Sequence, residues 1–514
     1  MSDVAGPSSA GTSDVVGAAH EEAILGVGAV EPAQLGLQRN SLKLWHVCAM
    51  GIAFQGLALA IYNNLGLIAG YVGPIAPLIF IGVSIASIPT AISFATMSNR
   101  IPSTGSAFAW ATRLISPRFG VWMGFIMACL YSVTACLFPL LAGIFGNSLL
   151  EFLGVHATWV TAMLAGFAAI AFIAYTTLKN IKINARVTAT LMGFEVLFVA
   201  FLSLFIVIKQ GSAGHLSIQP FNPAANTGGL NGFRLALIFV VLSISGFDVV
   251  VPLAEEARTP RRYIPIAVLV SLLGAGLYMS LTSYGYVIGV PSKDLVSFFT
   301  GTGQVTPIYP LAAQYIGNFK VLVPITGITA TLAGFAAVTT AASRIIYTLS
   351  REGYAPARLG TVHRQYRTPW NALKLVLGLC VVLPILVLLW QDRIPVQSYG
   401  WLGSVTVFFI LIPYTMVNVF SILYHRKHRE QRNLFTHLVL PLAGIAFNLY
   451  VFYVAFFKTS LTGGLSFKAG ASIVVSACAL AFAVGIPWTA WTTRRRGKML
   501  EAKMASGPSD EESG

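Results

Sequence analysis

Long apolar runs alternate with short polar and basic stretches from about residue 45 to residue 492. A helix needs about 20 mostly apolar residues to cross the hydrocarbon core of a bilayer. Twelve runs meet that requirement: roughly 45–68, 74–96, 119–147, 158–177, 186–208, 233–256, 264–289, 319–349, 371–390, 399–423, 434–457 and 470–492. Backbone groups in lipid find no water to bond, so each run is predicted to be a helix. The pattern predicts an all-α polytopic membrane protein with twelve spans, numbered here in chain order.

Composition agrees with that pattern. Of the 514 residues, 56% are hydrophobic and 10% charged, with a mean hydropathy of +0.74. A soluble domain carries about 25% charge. The net charge of +15 would suit a nucleic-acid partner if it lay in one patch, but the charges lie between the apolar runs. With the N-terminus inside, 26 of the 33 Lys and Arg residues fall on inside segments. Basic loops mark the inside, so both termini are predicted to be cytoplasmic and the protein to lie in the cell (plasma or inner) membrane. No nucleic-acid partner is expected.

Residues 1–43 are polar and rich in small residues, with no secretory signal pattern, and read as a disordered cytoplasmic tail. Residues 494–514 read as a second cytoplasmic tail. No phosphate-binding G-x-x-x-x-G-K-[ST], no H-E-x-x-H and no G-x-S-x-G occurs. Cys48, Cys129, Cys136, Cys380 and Cys478 lie in or beside apolar runs and form no C-x-x-C. No catalytic residue, metal site or cofactor is therefore expected, and an enzyme is a poor fit.

Candidate chemistry lies inside the spans. Span 6 carries Ser245-Gly246 near its centre and Asp248 two residues later. Glycine disfavours a helix interior, and serine offers the backbone alternative hydrogen bonds. Small residues can also serve close helix packing. A carboxyl at mid-membrane depth is costly and ordinarily faces a cavity or a partner. Span 1 has a similar polar-glycine pair, Gln55-Gly56, with Asn63-Asn64 further along. Paired breaks in corresponding spans are a mark of inverted-repeat transporters, whose half-helix ends hold substrate near the midplane. The break in span 6 is expected between Ser243 and Asp248, facing span 1 near Gln55–Ala58. Glu195 is the only acid within span 5, nine residues from Arg186. That is roughly 13 Å along a helix, inside the hydrocarbon zone. It reads either as a proton-coupling carboxyl or as a protonated group bonded to a neighbouring helix.

Three stretches carry a family resemblance. "GFDVVVPLAEEARTPRRYIP" at the end of span 6 resembles the sixth-span signature of the amino acid–polyamine–organocation permeases. "SNRIPSTGSAFAWATRLISPRFGVWMGF", 98–125, and "AASRIIYTLSREGYAPARLGTVHRQYRTPWNAL", 341–373, resemble that family's segments after spans 2 and 8. The resemblance implies a 5+5 inverted repeat with discontinuous spans 1 and 6 in residues 44–425. Two extra helices, spans 11 and 12, follow in 426–493. It implies transport by alternating access. The family's first-span G-[ST]-G is absent, and Phe54, Gln55, Gly56, Leu57 and Ala58 stand in its place.

The substrate site is accordingly expected at Phe54–Ala58 and at Ser245, Gly246, Phe247 and Asp248, with Phe138 and Phe335 as walls or gates. Asp248 would either bond a substrate amine or cap the unwound segment. Glu255, Glu256, Arg100, Arg261, Arg262 and Arg344 are expected near one another as an inside gate or as a solvated, orientation-setting cluster. The function expected is a secondary active permease for amino acids or related amines, coupled to protons or working by exchange. The rival reading is a non-transporting sensor or channel-like protein on the same fold. The partners are a small-molecule substrate, the lipid bilayer and a coupling proton.

Overall fold

The computed structural model describes residues 40–179, 181–291, 294–301, 308–428, 433–455 and 479–505. Most of the predicted N-terminal tail, much of span 12 and the end of the C-terminal tail lie outside the described residues, as does Cys478. Among the described residues the only β pairing is an isolated parallel bridge between Leu42 and Ala257.

Among the described residues, ten helical stretches are long and apolar enough to cross a membrane. The first, Leu44–Arg100, has 57 residues, far more than the about 20 that one crossing needs. It breaks at a short 3₁₀ turn, Gly73–Ile75, into pieces that match spans 1 and 2. The others are Pro117–Phe152, Trp159–Leu178, Asn184–Ser212, Gly229–Leu253, Pro260–Ile288, Ile308–Arg351, Trp370–Trp390, Pro395–Lys427 and Phe435–Tyr453. They coincide with spans 3 to 11. The chain is an integral membrane protein.

Local chemistry sets several helix starts. Pro117, Pro260 and Pro395 each occupy the first helical position, where the missing N–H would have no partner in any case. Ser116 caps the first of these helices by accepting from the Phe119 N–H at 3.2 Å. Large apolar side chains such as Leu164, Leu197, Leu204 and Leu386 are exposed on the outward faces, as suits helices surrounded by lipid. Polar groups turn inward instead. The Asn418 amide accepts from Ser93 at 2.7 Å and donates to Thr90 at 3.1 Å. Asn448 donates to the same threonine at 3.2 Å. Spans 2, 10 and 11 are thus joined by side-chain bonds of the kind that hold membrane helices together.

Two spans differ from the sequence expectation. Span 3 is not one helix: it breaks at Cys136 between Pro117–Ala135 and Leu137–Phe152, and Pro139 in the first turn of the second piece lacks an amide donor. Span 8 begins earlier than 319, as a helix Ile308–Ile316 and a 3₁₀ turn ahead of Leu322–Arg351. A separate short helix, Ala107–Leu114, stands between spans 2 and 3. At the C-terminus a helix runs from Gly485 to Ala505. The four described cysteines are free thiols, with Cys136 and Cys380 Sγ atoms 3.9 Å apart.

Candidate functional site at two broken helices

Both predicted breaks are present. Span 1 runs as a helix from Leu44 to Gln55, and Gly56 then turns left-handed, with φ 57° and ψ 69°. The chain resumes as Leu57–Leu59 and loosens into a π turn over Ala60–Asn64. Span 6 is helical from Gly229 to Ile244, after which Ser245 is extended. Gly246 has φ 104° and leads into a 3₁₀ helix, Phe247–Leu253. Such a φ suits glycine, because a Cβ would crowd its own backbone. Packing repeats the demand: a Cβ on Gly246 would stand 1.8 Å from the Phe54 ring.

The breaks are bonded to each other. The Gln55 side-chain amide donates to the Ile244 carbonyl at 2.8 Å. Ile244 is the last helical residue before the span 6 break, and its carbonyl has no intrahelical partner. Eight residues beyond the span 1 break, the Asn64 amide donates to the Ser243 hydroxyl at 2.8 Å. Ser243 in turn donates to the Phe239 carbonyl at 2.7 Å.

Asp248 sits on the other side of the break. It is buried, and the Tyr131 hydroxyl donates to its Oδ2 at 2.6 Å. The Tyr414 hydroxyl donates to Oδ1 at 2.7 Å and accepts from the Gly246 N–H at 2.8 Å. Asp248 and Tyr414 therefore pin the unwound segment, and spans 3 and 10 are tied to span 6 through one carboxylate. Of the two roles open to Asp248, this geometry fits the cap. Phe247 is fully buried between Phe94 and Tyr414, with ring centroids 6.0 and 4.9 Å away.

A cavity of about 60 Å³ adjoins the two breaks. Of the sequence-predicted residues, Phe54, Gln55, Phe138 and Ser245 line it. Gly56, Leu57, Ala58, Gly246, Phe247 and Asp248 stand beside the breaks outside its walls. Phe335 is one layer back, stacked on Phe138 with centroids 5.8 Å apart and planes 5° apart. The sequence reading missed Thr406 and Tyr399, which also line the cavity, and the two tyrosines that hold Asp248. Isolated hydroxyls in apolar runs gave only a faint signal.

Glu195 is fully buried, and neither carboxyl oxygen has a hydrogen-bond partner among the described residues. The hydroxyls of Tyr62 in span 1 and Tyr278 in span 7 do not bond it. Their hydroxyls are engaged elsewhere, Tyr62 with Thr326 at 2.8 Å and Tyr278 with the Val196 carbonyl at 2.6 Å. Of the two readings of Glu195, the one with a bond to a neighbouring helix finds no such bond among the described residues. Among the described residues no group of three His, Cys, Asp or Glu side chains is arranged to hold a metal ion.

The charges after span 6 fall into two groups. Arg344 of span 8 makes a bidentate pair with Glu256, at 2.9 and 3.0 Å, with both side chains buried. Arg351, two helical turns further on, pairs with Glu255 at 2.8 and 3.1 Å, and Thr104 donates to the same carboxylate at 2.8 Å. The Glu256 carbonyl also accepts from the Ser41 and Leu42 amides at 2.9 Å, so the start of span 1 is fastened to the end of span 6. Arg100, Arg261 and Arg262 form no ion pair among the described residues. The ion pairs thus run from span 6 to span 8, and Arg351, which the sequence reading did not name, takes part in one of them.

Residues 42–490 match a family model described as amino acid permease. The low-affinity putrescine importer PlaP of Escherichia coli strain K12 is 25% identical over 462 residues, covering 87% of this chain and 96% of that protein. The branched-chain amino acid permease BcaP of Bacillus subtilis strain 168 is 23% identical over 357 residues, covering 65% and 72%. A protein of Arabidopsis thaliana named cationic amino acid transporter 3, mitochondrial, is 23% identical over 365 residues, covering 67% of this chain and 57% of that protein.

Proposed function

The chain belongs to the amino acid permease family, within the amino acid–polyamine–organocation superfamily, and on that premise we propose a secondary active transporter for amino acids or related amines. The observation that carries this reading is the Gln55–Ile244 bond beside a small buried cavity. The cavity is small, about 60 Å³. An amino acid or diamine is larger, so loading requires the broken segments of spans 1 and 6 to separate. Alternating access is that separation, made toward one side at a time. The relatives named for putrescine and for branched-chain amino acids support an amine-bearing substrate.

The finer architecture follows the same premise. Spans 1–5 and 6–10 form inverted repeats, spans 11 and 12 are added, and both termini face the cytoplasm of a cell whose plasma membrane holds the protein. The pairs Glu256–Arg344 and Glu255–Arg351 then close the inner end, because they bind span 6 to span 8 where the start of span 1 is also fastened. Opening inward breaks them or carries them along as a unit. Glu195 is the proton-coupling carboxyl: a buried acid without a partner beside span 1 can take up a proton when one side opens and lose it to the other.

Counterflow in proteoliposomes tests the reading. Unlabelled leucine or 1,4-diaminobutane trapped inside should accelerate entry of the labelled compound. A sensor gives no acceleration, and a channel-like protein gives flux without dependence on the trapped solute. Either result would remove the transporter reading.

A further inference from the structure

The C-terminal helix, Gly485–Ala505, is seated on span 3. The Trp488 ring packs on Phe125 with centroids 5.2 Å apart. Just ahead of the helix, the Trp122 indole donates to the Ala481 carbonyl at 3.0 Å. From that seat one charged side chain reaches across to the end of span 8. The Arg496 guanidinium lies over the Tyr354 ring, 4.6 Å from its centroid, and donates to the Tyr354 hydroxyl. It also stands 4.0 Å from the Glu352 carboxylate. Arg494 and Arg495 on the same helix are exposed, so the contact belongs to Arg496 and not to the basic run as a whole.

Glu352 and Tyr354 are firmly tied to span 8. The span 8 helix ends at Arg351, and Gly353 turns left-handed with φ 81°. The Gly353 N–H donates to the Ser350 carbonyl at 3.0 Å, and the Tyr354 N–H to the Leu349 carbonyl at 2.8 Å. These are the two bonds with which a left-handed glycine closes a helix end. Tyr354 is buried, with its ring edge-on to Phe108 at 6.0 Å. A hold on Glu352 and Tyr354 is therefore a hold on the last turn of span 8. That turn carries Arg351, which pairs with Glu255 of span 6.

Resting on the transport reading above, we propose that Arg496 is a latch, through which the C-terminal helix holds the end of span 8 in its closed arrangement and slows opening of the inner end. A contact made in one arrangement and lost in another shifts the balance toward the first. The arrangement that has the Arg496 contact also has the Glu256–Arg344 and Glu255–Arg351 pairs intact. Arg496 and Glu352 are 24% and 42% exposed, so salt screens their attraction. A screened, partly exposed contact suits a part that is released at each opening better than one that holds the fold.

The test uses the full chain in two settings. In nanodiscs, hydrogen–deuterium exchange over 347–355 should rise in Arg496→Ala and return toward the parent in Arg496→Lys, which keeps the charge. In proteoliposomes, counterflow of labelled leucine or 1,4-diaminobutane should run about two- to fivefold faster in Arg496→Ala, the weight of an exposed ion pair. Added salt at constant osmolarity should speed the parent and leave Arg496→Ala unchanged. The melting temperature of Arg496→Ala should stay near the parent's, whereas a merely structural role lowers it and slows counterflow. Glu352→Gln carries the same test from the other side of the contact if Arg496→Ala folds poorly. The proposal is overturned if exchange over 347–355 is unchanged in Arg496→Ala, or if its counterflow equals or falls below the parent's. Counterflow in the parent that Arg496→Ala does not change defeats the latch and leaves the transporter. A parent without counterflow, with faster deuterium exchange in Arg496→Ala, defeats the transporter and leaves the hold on span 8.

Discussion

The Gln55 amide reaches the Ile244 carbonyl at 2.8 Å across 189 residues of sequence. It joins the last residue of one half-helix to the last residue of another. A single side chain thereby satisfies a carbonyl that the break in span 6 had orphaned, and it keeps both breaks at one depth. Gln55→Leu would leave the Ile244 carbonyl buried without a partner. The expected loss is about 1–3 kcal/mol of stability. Thermal unfolding in detergent checks it; an unchanged melting temperature would mean that water or another group replaces the amide at no cost.

Gly246→Ala should be worse tolerated than alanine at an ordinary helical glycine. The residue must hold φ 104°, and its new methyl would meet the Phe54 ring. Backbone strain of this kind costs about 1–3 kcal/mol before any clash is counted. Expression level and melting temperature should both fall, and Phe54→Ala in the same chain should restore part of the loss. Absence of that rescue would show that the ring contact is not the limiting factor.

Tyr414→Phe and Tyr131→Phe each remove one bond to Asp248, but Tyr414 also accepts from the Gly246 N–H. A hydrogen bond to a charged group is worth about 1.5–3 kcal/mol. Tyr414→Phe should therefore destabilise more than Tyr131→Phe. Asp248→Asn, if Asp248 is the cap inferred here, should lower the melting temperature and leave the affinity for ammonium-bearing ligands near the parent value. A selective loss of affinity in a stably folded Asp248→Asn would reassign this carboxylate to the substrate.

The Glu256–Arg344 pair is buried and bidentate. Removing one partner of such a pair typically costs about 3–5 kcal/mol, because the other charge is left buried and alone. Arg344→Met should thus fold poorly, whereas Arg344→Met with Glu256→Met should recover much of the stability. Glu255 and Arg351 are more exposed, at 23% and 32%, and their separation should cost less. Melting temperatures of Arg344→Met, the double variant and Arg351→Met rank these effects; equal losses in Arg344→Met and Arg351→Met would contradict the burial argument.

Glu195→Gln separates coupling from movement. If Glu195 carries the proton, the variant should lose accumulation driven by a pH gradient and lose the pH dependence of uptake, while counterflow without a gradient persists. Full gradient-driven accumulation in Glu195→Gln would exclude this carboxyl as the coupling site. Its melting temperature should not fall, since neither oxygen of Glu195 has a partner to lose.

The membrane class, the helix positions and the weak points of spans 1 and 6 were legible along the chain. They depend on local quantities: apolar length, glycine, and the cost of polar groups in lipid. Asp248 and Glu195 stood out for the same reason. What those groups touch was not legible. Tyr131, Thr406 and Tyr414 lie far from Asp248 and Gln55 in sequence, and a hydroxyl in an apolar run looks the same whether or not it faces a cavity. Arg351 was indistinguishable by sequence from Arg261 or Arg262, yet only Arg351 lies where the turn of span 8 meets Glu255. Sequence determined where most spans had to be and where spans 1 and 6 were weakest, but not the break of span 3 at Cys136. Tertiary packing alone decided which orphaned carbonyl met which amide, and which oxygens were left over. A hydrogen bond needs its two atoms within about 3 Å, and only the folded chain brings residues so far apart in sequence that close.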